Sequence, residues 1–322
     1  MNPLIIFFFG IIGAMRVVQK VCSKKVSDKI DGDTYFHYGG YYQLIAAVLS
    51  LVALLYYGFS GFNATMLLCS VGMAAFITLG LFAEIEALKG ASLILVQMFA
   101  AGSIVLSALF GHFFLEGQEM NVYQWLGLAA FLVSIYFMVS QDGVKKEEEQ
   151  DAGEDVLEKA LDKPKQKISI KTIIMLVLMF IAEGGMMIVQ TVFGTLVEDG
   201  NTALFSFVMF AINSLILYIC YLVQALFIRK PVQQTGKKVK PLPKVLLVCG
   251  TFLGIALTVI NILATELTAM VPAALLFSIS NAIAIIVTML VGYIVYKEKI
   301  GVKNIIGIIL CAASLTVVGI FM

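Results

Sequence analysis

Long apolar runs separated by short polar breaks set the pattern of this chain. Ten runs can be marked, each near the roughly 20 residues that carry a helix across about 30 Å of hydrocarbon. They are Pro3 to Val21, Tyr35 to Tyr57, Thr65 to Leu88, Ala91 to Leu115 and Asn121 to Ser140, then Ile170 to Val197, Thr202 to Ile228, Lys244 to Thr265, Met270 to Tyr296 and Gly301 to Met322. The alternating pattern of a membrane barrel is absent. A lipid-exposed backbone must satisfy its own hydrogen bonds, so the runs predict helices. Breaks such as Glu198-Asp199-Gly200-Asn201 and Lys297-Glu298-Lys299 allow only antiparallel neighbours. The expected fold class is an all-α integral membrane protein of ten transmembrane helices.

Two polar segments are longer. Gln141 to Ser169 mixes lysine and glutamate and cannot bury enough apolar surface to fold alone, beyond a short helix around Glu154 to Leu161. It divides the chain into a first five-helix unit over 1–140, a cytoplasmic linker over 141–169 and a second five-helix unit over 170–322. The other, Arg229 to Pro243, is basic and holds Pro231, Pro241 and Pro243.

The two units echo one another. Gly13-Ala14-Met15-Arg16-Val17-Val18-Gln19-Lys20-Val21 in the first run aligns with Gly184-Gly185-Met186-Met187-Ile188-Val189-Gln190-Thr191-Val192 in the sixth, with five of nine positions identical. Further on, Gln118 precedes Gly127 by nine residues, as Glu298 precedes Gly307. Five helices per unit is an odd number, so the second copy enters the membrane upside down. Inverted repeats of this kind build alternating access around a site at the bilayer midplane.

Composition strengthens the membrane reading. Of 322 residues, 60% are hydrophobic and 13% charged, against about 25% charged in soluble domains. A net charge of +1 points to no nucleic-acid partner. Placement of the charges is more telling. With the loops numbered in order, all 22 lysines and arginines fall in odd loops, Arg16 and Lys20 being counted with loop one, while the even loops carry Glu116, Glu119, Glu198, Asp199 and Glu266. Under the positive-inside rule the odd loops are cytoplasmic and both termini face outward. The expected location is a bacterial inner or plasma membrane. The N-terminal run lacks a basic n-region and a small-residue cleavage site, and reads as an uncleaved first span.

These features together resemble the drug/metabolite transporter superfamily, in its EamA-like ten-helix branch, over essentially the whole chain. The residues that carry the resemblance are the five-plus-five organisation, Ala87-Leu88-Lys89-Gly90-Ala91-Ser92 at the end of the third run, and Tyr296-Lys297-Glu298-Lys299-Ile300 followed by Ile306-Gly307. The chain departs from the family in having Gln118 where a glutamate is usual, and in a charge pattern that puts the termini outside. The resemblance implies a transporter with a cavity between its halves, lined by the first, third, fourth, sixth, eighth and ninth helices.

Polar groups inside the hydrocarbon are costly and ask for a function. Glu183, near the middle of the sixth run, suits proton binding or contact with a substrate ammonium, and Gly184 and Gly185 beside it allow close approach. Arg16 either snorkels to the interface or holds an anionic group in the cavity, where it could meet Glu183. Gln19 and Gln190, at matching repeat positions, and Gln97, Asn261 and Asn281 are further candidates for substrate hydrogen bonds. Glu84 and Glu86 read as interfacial, and His112 as lacking a partner. The scattered cysteines Cys22, Cys69, Cys220, Cys249 and Cys311 read as small apolar residues, with neither a metal knuckle nor a disulfide framework. No catalytic, cofactor or metal site is expected, since nucleotide loops and hydrolase or metalloprotease motifs are missing. The expected function is secondary active transport of small polar metabolites, amino acids or related zwitterions among them, coupled to protons or working by exchange. The alternative is a scaffold or sensor that keeps the transporter fold. The expected partners are a small-molecule substrate and lipid, with the chain acting as a monomer or homodimer.

Overall fold

The computed structural model describes residues 3–30, 32–114, 120–139, 169–197, 200–224, 242–268, 273–296 and 302–320. The linker expected over 141–169 lies outside the described residues apart from Ser169, as do Gln118, Glu298 and the basic segment up to Pro241.

Eleven helices, and no strands, occur among the described residues. They are α1 (Pro3–Ser27), α2 (Gly32–Tyr57), α3 (Ala64–Gly90), α4 (Leu93–Gly102), α5 (Ile104–Phe114), α6 (Val122–Val139), α7 (Ile170–Leu196), α8 (Thr202–Val223), α9 (Lys244–Thr268), α10 (Ala273–Ile294) and α11 (Val302–Ile320). Seven stretches, with α4 and α5 taken as one, are long and apolar enough to cross a membrane; parts of α6, α10 and α11 form shorter apolar helices. Large apolar side chains point away from the protein, including Leu68, Val52 and Phe7, each more than 60% exposed. Water would penalise such a surface and hydrocarbon would not. The chain is thus an all-helical protein suited to a membrane.

Two boundaries differ from expectation in ways that matter. Helix α1 runs on past the expected Val21 to Ser27, and Arg16 and Lys20 are buried well inside it. The fourth run is broken between α4 and α5. The Ser103 hydroxyl donates to the Ala100 carbonyl at 2.6 Å, and the Phe131 ring packs where a Cβ on Gly102 would stand.

Neighbours α3 and α7 run antiparallel, as do α2 and α8, whereas α2 and α9 run parallel. Helix α3 lies along α7, with Gly80 against Ala182 and Gly90 against Thr172; α2 lies along α8, and α1 along α9. Helix α6 packs on α11, and α10 on α1, α4 and α11. One large apolar cluster joins α1, α3, α4, α6, α7, α9, α10 and α11.

The basic residues near the helix ends share one end of the bundle. Lys24 Nζ donates to the carbonyls of Leu88 (3.1 Å) and Ala91 (3.3 Å), closing the C-terminus of α3. Lys89 Nζ donates to the Ile30 carbonyl at 3.1 Å, and Glu86 binds both Lys89 and Lys171 at 2.6 Å. Glu86, expected to be interfacial, thus lies among lysines at this end of the bundle. At the opposite end Asn201 caps α8, its Oδ1 accepting from Leu204 N at 3.0 Å while its Nδ2 donates to the Gly58 carbonyl at 2.6 Å. Asn63 caps α3 in the same way, accepting from Met66 N at 2.7 Å. Asn63→Ala is expected to lower stability by about 1 kcal/mol, the usual value of such a cap, and Asn63→Asp to retain most of it. Thermal melts of the purified chain check this.

Candidate functional site

Four charged side chains meet inside the bundle. Arg16 and Lys20 stand one turn apart on α1, Glu84 projects from α3, and Glu183 marks the centre of α7. All four are buried, Lys20 to 2% exposure. Lys20 Nζ lies 3.1 Å from Glu84 Oε2 and 3.6 Å from Glu183 Oε1. Arg16 is within electrostatic reach of Glu183. The formal charges of the four cancel. Ionised groups taken from water cost several kcal/mol each unless paired and hydrogen-bonded, and this pairing is the physical reason the cluster is tolerated.

Hydrogen bonding in the cluster is incomplete. Lys20 and the buried Ser23 hydroxyl serve the Glu84 carboxylate, while Arg16 Nε and Glu84 Oε1 lack a well-directed partner. The tyrosines of α2 stand within electrostatic reach of Glu84, and the hydroxyls of Tyr35 and Tyr38 are likewise unpartnered. A half-satisfied network is costly in low dielectric. It is also what a site prepared for a polar guest requires.

The glycines beside Glu183 do as expected. A Cβ on Gly184 would fall 2.9 Å from Leu106 Cβ and 3.1 Å from the Ser103 carbonyl oxygen, and one on Gly185 would collide with the Phe76 ring. Glu183 is therefore carried on a segment pressed against the α4/α5 break on one side and α3 on the other.

Of the remaining candidates, Gln190 and Asn261 come together. Gln190 Nε2 donates to Asn261 Oδ1 at 2.9 Å, and Asn261 Nδ2 donates to Ser206 Oγ at 2.6 Å, linking α7, α9 and α8. Gln97 and Asn281 are buried on α4 and α10, which pack together; Asn281 Nδ2 donates to the Ala101 carbonyl at 3.5 Å, and the Oε1 of Gln97 and Oδ1 of Asn281 are unpartnered. Gln19 is half-buried. His112 accepts from Met120 N at 3.0 Å through Nδ1 and lies edge-on to Trp125, so it ties α5 to the start of α6 and is not without a partner.

Two further expectations are corrected. Glu84 is not interfacial. The close contact to Glu183 comes from Lys20 rather than Arg16. Lys20 and Glu84 are the site residues that sequence reasoning missed. Their signals were present: Lys20 follows Arg16 by four residues, on the same helix face, and Glu84 and Glu86, two apart, face different ways, so one had to turn inward.

No family model matches the chain, and no curated protein matches it. Among solved structures, one described as "Crystal structure of protein" is similar, with a TM-score of 0.59 at 16% identity, over 95% of this chain and 94% of that one. At that identity the likeness extends to the fold alone.

Proposed function

We propose that the chain is a secondary carrier of small polar metabolites with both a positive and a negative group, working by alternating access between two inverted five-helix repeats, as expected of the drug/metabolite transporter superfamily. The carrying observation is the buried, charge-balanced cluster of Arg16, Lys20, Glu84 and Glu183. It draws on both units and retains unpartnered donors and acceptors.

The packing supports the repeat. Exchanging the units maps α1, α2, α3, α4/α5 and α6 onto α7, α8, α9, α10 and α11. Under that exchange the α3–α7 contact becomes α9–α1, α2–α9 becomes α8–α3, and α1–α10 becomes α7 with α4/α5; all occur. The α2–α8, α6–α11 and α4–α10 contacts map onto themselves and are also made. Gly13 and Gly184, equivalent in the sequence echo, do equivalent work: Gly13 admits Ile283 of α10 as Gly184 admits Leu106 of α5. In this reading ten spans cross the bilayer, and the end carrying Lys24, Lys89 and Lys171 faces the cytoplasm by the positive-inside rule.

The sidedness of the cluster follows from its depth. Glu84 lies six residues before the α3 C-terminus, about 9 Å along the axis at 1.5 Å per residue. The site thus sits between the bilayer centre and the basic end. Arg16 and Lys20 would receive a carboxylate, Glu84 and Glu183 an ammonium, and Gln97, Asn281, Gln19 and the Gln190–Asn261 pair would supply neutral hydrogen bonds.

The test is thermal stabilisation of the purified chain against amino acids, nucleobases, sugars and cationic drugs. A zwitterion at 100 times its Kd should add about 2.7 kcal/mol, and Glu183→Gln should abolish that gain. Stabilisation by sugars or nucleobases that survives Glu183→Gln would sink the reading.

A further inference from the structure

Carriers that bind cationic groups on buried carboxylates must return empty through the membrane, and bare carboxylates cannot do so cheaply. An isolated ionised group in low dielectric is neutralised by changing its protonation, which is how proton coupling arises. Here the carboxylates already have a cation. Lys20 Nζ sits between Glu84 and Glu183 at 3.1 and 3.6 Å, shut away from solvent. With Arg16 beside Glu183, two negative and two positive charges sum to zero without a bound proton.

We propose that Lys20 is a resident counter-ion standing in for a coupling cation: the empty carrier reorients without proton uptake, and a zwitterion's ammonium enters by displacing Lys20 from the two carboxylates. This rests on the carrier reading above and extends it to coupling. The geometry gives Lys20 a way to yield. It shares its charge between helices of different units, α3 and α7, and its contacts are to carboxylate oxygens, so an incoming ammonium replaces it at the same atoms.

The acid–base groups around it do not compete for this role. On α1, Cys22 meets Cys249 of α9, and Arg16 carries a permanent charge. Around Glu84 stand the phenols of Tyr35, Tyr38 and Tyr42, and Tyr296, just past α10, donates to the Val21 carbonyl at 3.2 Å. Thiols and phenols ordinarily ionise above neutral pH, which leaves proton exchange to the two carboxylates.

The prediction is a change of coupling. In Lys20→Met, Arg16 faces two carboxylates, the cluster carries one net negative charge, and a proton must be taken up. In Lys20→Met/Glu84→Gln the balance returns. Two measurements on the full chain read this. Infrared spectra of the protein in lipid nanodiscs at neutral pH should gain a protonated-carboxyl band in Lys20→Met, relative to the unmutated chain, and lose it in the double variant. Proteoliposomes offered an equimolar mixture of the common L-amino acids, read by mass spectrometry, should show flux in the unmutated chain that ignores an imposed proton gradient. The same flux in Lys20→Met should follow the gradient, towards the roughly tenfold accumulation per pH unit that one-to-one coupling at about 1.36 kcal/mol per unit allows.

Gradient-driven accumulation by the unmutated chain would overturn the counter-ion role while leaving the carrier reading intact. Absence of flux for every amino acid would count against the substrate class, and the infrared band then decides the role of Lys20: its failure to appear in Lys20→Met overturns the proposal. If Lys20→Met does not fold, Lys20→Gln takes its place, with the same band as the readout.

Discussion

Glu84→Leu lowers the stability of the folded chain by about 3–5 kcal/mol, the cost of leaving one member of a buried ion pair without its partner. The ammonium of Lys20, 3.1 Å from Glu84 and 2% exposed, has no route to water. In the variant it keeps only the more distant Glu183 at 3.6 Å, which Arg16 also draws on. The double variant Lys20→Met/Glu84→Leu recovers most of the loss, since replacing a buried pair by apolar groups of similar volume is often neutral or favourable. Thermal unfolding of the four proteins, arranged as a double-mutant cycle, measures the coupling. Additive losses would mean that Lys20 and Glu84 do not act as a pair. By contrast, breaking Glu86–Lys171 at the basic end, where Lys171 is exposed, should cost no more than about 1 kcal/mol.

That contrast separates two carboxylates only two residues apart. Helix α3 turns Glu84 towards α1 and α7 and Glu86 towards the lysines at the bundle end. The sequence pattern located the end of α3 near Leu88 and the glutamates near it, which made both seem interfacial. What it lacked was knowledge of the partner helices. Lys20 was passed over as a site residue for the same reason. Apolar runs are delimited by charge, so a buried lysine reads as the end of a span when its counter-charges lie on other helices, 64 and 163 positions further along the chain. The break at Ser103 escaped notice because Gly102-Ser103 lies in an otherwise unbroken apolar run, and only the Phe131 ring packed over it makes the glycine necessary. Residues whose surroundings are local were legible. The centre of α7 at Glu183 and the close-packing glycines beside it follow from run length and residue size, and the structure has both.

Gly184 and Gly13 give the second large effect. Gly184→Val would drive a branched side chain into Leu106 and the Ser103 carbonyl, and the backbone atom cannot rotate away as a flexible side chain can. Overpacking of this kind costs about 1–3 kcal/mol. It also wedges α7 away from the α4/α5 break and disturbs the setting of the adjacent Glu183. Gly13→Val meets the Ile283 side chain at a position where a Cβ alone would stand 2.6 Å from Cγ2; that side chain can yield in part, so the loss should lie at the low end of the same range. A pseudo-twofold carrier makes a further demand: both substitutions wedge the first helix of one unit away from the fourth of the other, so both should slow flux, and to a greater degree than they lower stability. Gly10→Ala on the same helix, with nothing within 4 Å of its would-be Cβ, is the matched control and should leave stability within about 0.5 kcal/mol. Parallel melts and proteoliposome fluxes of the three variants decide the point. Loss of flux in Gly184→Val with none in Gly13→Val would argue that the two units do not move as equivalent halves.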